Sequence, residues 1–144
     1  MEKVRSRMKT ELVTLGPEET LREAVTLELQ RKIRHIPIVD GNGALLGIVT
    51  DRDIKRALPS PLTGQLAREE YDSVLDETKL SKVMTRDPMH VTPDTTLADA
   101  VKLMFEKKVG GLPVVEHGKL VGIFTQTDAL KLCLELLGES GKTG

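Results

Sequence analysis

One short pattern occurs twice in this chain of 144 residues, and it combines residue types that can bind a ligand. An aspartate carboxylate can accept two hydrogen bonds from the vicinal hydroxyls of a ribose. A threonine at a strand-to-helix junction lies beside free backbone amides and the positive end of a helix dipole, which favour an anion such as phosphate. The pattern therefore indicates a ribonucleotide as a candidate ligand. It reads glycine, two apolar residues, threonine, two further residues and aspartate, and its copies are Gly47, Thr50, Asp53 and Gly122, Thr125, Asp128.

The same spacing is also typical of a helix cap. A threonine at the N-cap and an acid three residues later satisfy two amides of the first turn. Thr20 with Glu23, and Thr96 with Asp99, have this spacing where no ligand is indicated. The glycine inside each predicted strand favours the ligand, because glycine there marks close approach by another group. Capping is the alternative, and the two roles can coexist.

The pattern recurs because the chain is a duplicated unit. Residues 8–40 align with residues 84–116 at an offset of 76, as from Pro37 to Pro113. After the turns "DGNG" and "EHG" the offset is 75, as from Gly47 to Gly122, so the second turn is one residue shorter.

Each copy predicts the order β-α-β-β-α, and hence an α+β fold. Apolar residues at helical intervals follow Thr20 and Thr96, which predicts one helix after each. Short β-branched runs joined by glycine-containing turns predict two hairpins, "IPIV" with "LLGIV" and "LPVV" with "LVGIF". Further helices are predicted at "DRDIKRAL" and "QTDALKLCLELL". The predicted organisation is unit 1 at 1–58, a connector at 59–80 with a helical stretch "LAREEYDSVL", unit 2 at 81–138 and a disordered tail at 139–144.

Composition argues against several classes of function. With 21 basic and 22 acidic residues, two Phe, one Tyr and no Trp, the chain lacks the features of a nucleic-acid reader. Cys133 is its single cysteine, so an intrachain disulfide or a four-cysteine zinc site is excluded and a reducing compartment is favoured. His35, His90 and His117 are too far apart to indicate a metal site. No signal peptide, membrane span, phosphate loop or nucleophile elbow is found. We expect a cytoplasmic protein that binds no membrane and is not an enzyme.

In combination, the motifs resemble a tandem pair of CBS domains, also called a Bateman module, over essentially the whole chain. The matching stretches are "VMTRDPMHVTPDTTLADAV", "GGLPVV" and "GKLVGIFTQTD" with their counterparts in the first copy. The connector "ALPSPLTGQLAREEYDSVL" is similar to that of acetoin-utilization-type CBS proteins, which often carry a further C-terminal regulatory domain. The chain stops at "GESGKTG", so we expect its effector to be a separate protein.

The resemblance implies two units with their sheets packed together about a pseudo-twofold axis. It implies two clefts for AMP, ADP, ATP or S-adenosylmethionine, in which Asp53 and Asp128 hold the ribose and Thr50 and Thr125 assist. Base contacts are implied for Ile36, Pro37, Leu112 and Pro113, with Gly47, Gly111 and Gly122 close by. The opening segments "KTELVT" and "TRDPMHV", which contain Leu12 and Met89, would form the far walls.

The two copies differ in charge. The first has Arg34, His35 and Arg52 where the second has Gly110, Gly111 and Thr127. If these cations line a cleft, that cleft should prefer phosphorylated ligands and the other should tolerate a more neutral or bulkier one. A charged surface without a ligand is the alternative.

The last helix, "ALKLCLELL", is apolar on nearly all sides. This indicates burial on more than one face, for which a homodimer is the commonest solution and packing against the first unit the alternative. The sequence thus predicts a regulatory adenine-nucleotide sensor that acts on a partner. A structural scaffold without ligand is the second hypothesis, and a small enzyme using His35 or His90 as general base is the third.

Overall fold

The computed structural model describes residues 1–59 and 68–138. Its mixture of helices and short antiparallel strands confirms the predicted α+β class. Part of the predicted connector, 60–67, and the predicted tail at 139–144 lie outside the described residues. In chain order the elements are α1 Leu21–Arg31, β1 His35–Val39, β2 Leu45–Thr50, α2 Asp51–Ala57, α3 Arg68–Glu77, β3 Thr85–Arg86, α4 Leu97–Lys107, β4 Gly111–Glu116, β5 Lys119–Thr125 and α5 Gln126–Leu136.

The helices α1 and α4 begin at the predicted caps. The amide of Thr20 donates to Glu23 at 2.9 Å, and the amide of Asp99 donates to the hydroxyl of Thr96 at 3.1 Å. These bonds satisfy amides that the first helical turn leaves without an intrahelical partner. The helical stretch predicted in the connector is α3, which packs against α1.

Both predicted hairpins are present. Strand β1 pairs antiparallel with β2, and β4 with β5. In the first turn the carboxylate of Asp40 accepts the amide of Asn42 at 2.8 Å. The shorter second turn places His117 and Gly118 at φ 53° and 78°, both left-handed. Consecutive left-handed residues match the twist of a tight hairpin, so the predicted one-residue shortening has a conformational basis.

The chain forms two compact units, and each of them contains residues from both sequence repeats. The continuous unit is Val13–Pro88, and the split unit combines Met1–Leu12 with the chain from Met89 onward. The predicted boundaries at residues 58 and 81 mark the ends of the sequence repeats, and as domain boundaries they stay a prediction. In space, the opening residues of each repeat pack with strands of the other copy.

Backbone hydrogen bonds hold these opening residues in place. In the split unit, Lys9 and Ile123 exchange two bonds of 2.9 and 3.0 Å, and the amide of Val4 donates to Thr95 at 2.8 Å. In the continuous unit, β3 pairs with β2, and the amide of Leu80 donates to Glu19 at 2.8 Å. The strand expected to open each repeat is thus only two residues long in β3 and a single bridge at Lys9.

Each unit has its own apolar core. Residues 1–12 and 80–88, which precede the first helix of each repeat and are called the opening segments from here on, contribute fully buried residues to both cores, Val4 to one and Leu80 to the other. The core of the continuous unit contains Leu21, Ala24, Ile36, Ile38, Val49, Ile54, Leu75, Leu80 and Met84. The core of the split unit contains Val4, Val91, Leu97, Ala100, Met104, Leu112, Val114 and Phe124.

Candidate functional site

The first Thr-x-x-Asp motif lies where β2 ends and α2 begins. The amide and the hydroxyl of Thr50 donate to Oδ2 of Asp53 at 2.9 and 3.1 Å. The amide of Asp53 in turn donates to the Thr50 hydroxyl at 3.3 Å. This is a reciprocal capping box, so the helix-capping interpretation is confirmed. Asp53 is nevertheless only 7% exposed, which is unusual for a carboxylate.

A third donor reaches Asp53 from β3. The hydroxyl of Thr85 lies 3.2 Å from Oδ1 and 3.3 Å from Oδ2 of the carboxylate. Thr85 stands there because β3 pairs with β2 and sets Thr85 opposite Ile48. The carboxylate therefore connects the helix start to the sheet edge.

The second motif repeats this arrangement where β5 meets α5. The amide and hydroxyl of Thr125 donate to Oδ2 of Asp128 at 2.8 and 3.0 Å, and Asp128 is also 7% exposed. Both copies therefore place a buried carboxylate at a strand-to-helix junction and use one of its oxygens for capping.

The third donor to Asp128 is a cation. The ammonium of Lys9 donates to Oδ1 of Asp128 at 2.8 Å and to the hydroxyl of Thr125 at 3.2 Å. Lys9 and Thr85 were not singled out from the sequence. The repeat alignment could have indicated them, because the offset of 76 aligns Lys9 with Thr85. In the structure, Lys9 pairs with Ile123 and Thr85 pairs with Ile48, which are equivalent positions of β5 and β2.

The two motif glycines face the opening segments. A Cβ at Gly47 would lie 2.7 Å from Sδ of Met84 and from the carbonyl oxygen of Thr85. A Cβ at Gly122 would lie 2.6 Å from Sδ of Met8. The predicted close approach is present, and the approaching group is the chain itself. A ligand contact by either glycine stays a prediction.

The residues predicted to contact a base lie inside the units. Ile36 and Pro37 are buried in β1, and Leu112 and Pro113 are buried in β4. Ile36 and Leu112 belong to the two cores. Gly111 is buried opposite Thr125 in the β4–β5 pair. Base contact by these residues stays a prediction.

The predicted cations of the first copy lie near Thr50 in sequence or register. His35 is half-buried and pairs with Thr50 across β1 and β2, Arg34 precedes it as an exposed residue, and Arg52 is exposed in the first turn of α2. Lining of a ligand cleft by these three residues stays a prediction. In the split unit, the ammonium of Lys9 forms a salt bridge with Asp128.

Leu12 and Met89, predicted as wall residues, are both exposed and both belong to the split unit. No three His, Cys, Asp or Glu side chains cluster as a metal site within residues 1–59 and 68–138. Across those same ranges, none of the helices has the length and apolar character needed to cross a membrane.

Comparison with known proteins agrees with this architecture. The family model for the CBS domain matches residues 3–60 and again residues 80–135. A Vibrio cholerae protein named for acetoin utilization has a crystal structure that superimposes with a TM-score of 0.79 at 36% identity, covering 100% of this chain and 98% of that one.

Two further crystal structures contain bound adenosine compounds. CBSX2 from Arabidopsis thaliana, in complex with AMP, has a TM-score of 0.79 at 27% identity over 95% of this chain and 99% of that one. The CBS domain pair of protein MJ0100, in complex with 5′-methylthioadenosine and S-adenosylmethionine, has a TM-score of 0.77 at 25% identity over 94% and 98% of the two chains. The chain therefore belongs to the CBS domain family and carries a tandem pair of these domains.

Proposed function

We propose that this chain is a regulatory module that binds an adenine nucleotide or S-adenosylmethionine and passes the signal to a separate effector protein. The observation that carries the proposal is the duplicated buried carboxylate, Asp53 and Asp128, at a strand-to-helix junction. The AMP complex of CBSX2 and the S-adenosylmethionine complex of MJ0100 support the choice of ligand class.

The carboxylate geometry is compatible with binding a diol. A carboxylate offers about four lone-pair sites on its two oxygens. In Asp53, Oδ2 accepts both donors of Thr50, while Oδ1 accepts the rotatable hydroxyl of Thr85. Capping therefore leaves acceptor capacity on Oδ1, and two ribose hydroxyls are donors that could use it. Thr50 and Thr125 would stand beside the ribose or phosphate.

Signalling needs a difference in affinity between two states of the module. A ligand shifts such an equilibrium only by as much as it binds one arrangement better than the other. CBS domain pairs are in general regulatory and not catalytic, which supports a sensor and not an enzyme as the function. A cytoplasmic location belongs to the same proposal, since a lone free thiol at Cys133 fits a reducing compartment.

A homodimer is part of the proposal. Along α5, Leu130 and Leu134 are 64% and 49% exposed, and Leu137 just beyond the helix is also exposed. Spacings of four and three residues place these side chains on one helical face. A contiguous apolar face of this kind marks an interaction surface, and a twofold dimer buries it once from each copy.

The scaffold hypothesis has one observation in its favour. Both motifs form complete capping boxes, so Thr50, Asp53, Thr125 and Asp128 have a structural role without any ligand. In that case their replacement would lower stability and nothing else. The burial of both carboxylates favours the sensor, because the acids that cap α1 and α4, Glu23 and Asp99, are exposed.

Thermal unfolding separates these hypotheses. Wild type, Asp53→Ala and Asp128→Ala are heated alone and with AMP, ADP, ATP, S-adenosylmethionine and GTP. A ligand that binds only the folded state adds about 2.7 kcal/mol at a hundredfold excess over its dissociation constant. The sensor hypothesis predicts a shift with an adenine compound that one aspartate variant abolishes. If no compound shifts the midpoint and both variants are simply less stable, the scaffold hypothesis replaces it.

A further inference from the structure

The two motif carboxylates are equally buried but differ in the charge of their third donor. Asp53 and Asp128 are each 7% exposed, and each receives an amide and a hydroxyl from its threonine on Oδ2. On Oδ1, Asp53 receives the neutral hydroxyl of Thr85, whereas Asp128 receives the ammonium of Lys9.

This difference changes what a diol encounters. At Asp53, the second hydroxyl of a diol competes for Oδ1 with the hydroxyl of Thr85, so one bond from a neutral donor replaces another. At Asp128, it competes with an ammonium at 2.8 Å, where donor and acceptor are both charged and attract each other as an ion pair. A neutral ligand that displaces Lys9 also separates the ammonium from the carboxylate, and it offers the ammonium no negative charge in place of Asp128.

An anionic ligand removes this penalty. The side chain of Lys9 is 46% exposed, so its ammonium has solvent-filled space into which it can turn once a ligand displaces it, while the backbone stays paired with Ile123. A phosphate on the same ligand can then accept the ammonium, since lysine binds phosphate as a point charge. The diol and the phosphate together would replace both halves of the Lys9–Asp128 pair.

We propose that Lys9 is a specificity-determining residue, which restricts the Asp128 position to diol ligands that carry an anionic group, while Thr85 leaves the Asp53 position open to neutral ones. The inference rests on the proposed function, because it assumes that the motif carboxylates bind a ribose diol. The inference concerns only the charge of the ligand, so it does not depend on which adenine compound binds in the cell.

The test compares adenosine with AMP, which share base and ribose and differ in the phosphate. Dissociation constants are measured by calorimetry in two backgrounds, with Asp53→Ala to isolate the Asp128 position and Asp128→Ala to isolate the Asp53 position. The measured quantity is the ratio of the adenosine constant to the AMP constant. Lys9→Thr is then added to the first background and Thr85→Lys to the second.

Lys9→Thr should lower the ratio at the Asp128 position by about tenfold, the scale of one charge-assisted hydrogen bond. Thr85→Lys should raise the ratio at the Asp53 position in the same way. Lys9→Gln keeps a long side chain with a hydrogen-bond donor but has no charge. It should lower the ratio as Lys9→Thr does, which would show that the lost charge and not the shorter side chain causes the change. Lys3→Thr changes the net charge equally, from an exposed position in the same opening segment, and should leave the ratio unchanged.

Two results would overturn the inference, and they are distinguishable. If AMP binds but Lys9→Thr and Lys9→Gln both leave the ratio at the Asp128 position unchanged, Lys9 does not select ligand charge and the proposed function stands. If neither adenosine nor AMP binds to the wild type or to either background, the inference fails together with the nucleotide-binding proposal.

Discussion

The ammonium of Lys9 lies 2.8 Å from Oδ1 of Asp128, and this contact joins residues 119 positions apart in the chain. It exists because the first twelve residues pack in the split unit, where Lys9 pairs with Ile123 of β5. The amino-terminal segment is therefore a structural part of the second motif. A change in this segment is expected to affect Asp128 before it affects Asp53.

Cavity-forming substitutions in the two opening segments test this connectivity. Val4 and Leu80 align at the repeat offset, and both are fully buried, but in different cores. Val4→Ala and Leu80→Ala should each cost about 2 kcal/mol or more of unfolding free energy. Hydrogen exchange should show faster opening of α4, β4 and β5 for Val4→Ala, and of α1, β1 and β2 for Leu80→Ala. The reverse pattern would show that the opening segments pack in their own repeats.

Alanine at the motif glycines tests the close approach of the methionines. A Cβ at Gly47 or Gly122 would lie 2.7 or 2.6 Å from a methionine sulfur. Each substitution should lower the unfolding free energy by about 1–3 kcal/mol through overpacking. Urea unfolding measures this, with Gly41→Ala as the control because no atom lies within 4 Å of a Cβ there.

The two glycines should differ in how they can be rescued. At Gly122 the carbonyl of Lys9 would lie 3.0 Å from the new Cβ, whereas at Gly47 the carbonyl of Thr85 would lie at 2.7 Å. Shortening Met8 to alanine should therefore relieve Gly122→Ala more than shortening Met84 relieves Gly47→Ala. Equal stability of wild type and both glycine variants would show that the opening segments do not pack this closely.

The apolar face of α5 predicts self-association. Leu130→Glu combined with Leu134→Glu should convert a dimer into a monomer, because two charges per copy would be buried at the interface. Both side chains are exposed in the single chain, so its helical content should not change. Sedimentation equilibrium measures the mass, and Lys131→Glu is the matched control on an exposed position of the same helix. A monomeric wild type at high protein concentration would contradict this prediction.

The cap of α1 predicts a response to acid. Hydrogen bonds from Thr20 hold the pKa of Glu23 below its usual value of 4.5. Since the folded-state pKa is lowered, the stabilisation by Glu23 is complete above about pH 4.5 and is lost as the pH falls through the folded-state pKa. Glu23→Gln should therefore flatten the loss of stability at acidic pH. Glu106→Gln, at an exposed position of α4, should keep the wild-type slope. An unchanged slope for Glu23→Gln would contradict the prediction.

The sequence was sufficient to predict the elements but not the way the opening segments are shared. Caps at Thr20, Thr50, Thr96 and Thr125 follow from local hydrogen bonding, which spacing reveals. The pairing of Met8 with Gly122, and of Met84 with Gly47, could not be predicted in this way. Both copies carry the same residue types, so either pairing satisfies the same local chemistry.

The importance of Lys9 was hidden for a related reason. The alignment of Lys9 with Thr85 was visible, but its meaning depends on which aspartate the segment reaches. Had Lys9 remained with its own repeat, it would have lain beside Asp53. Only the contacts in the split unit assign its charge to Asp128.

The proposed function requires that the motif carboxylates bind the ribose diol of an adenine nucleotide. The most direct measurement is calorimetric titration of the wild type with AMP and with 2′-deoxy-AMP, repeated for Asp53→Asn and Asp128→Asn. If a carboxylate accepts both hydroxyls, removing one should weaken binding by about tenfold, and the asparagine variant of the occupied motif should lose most of that discrimination. Equal affinity for AMP and its deoxy analogue, or discrimination that neither asparagine variant reduces, would contradict the claim.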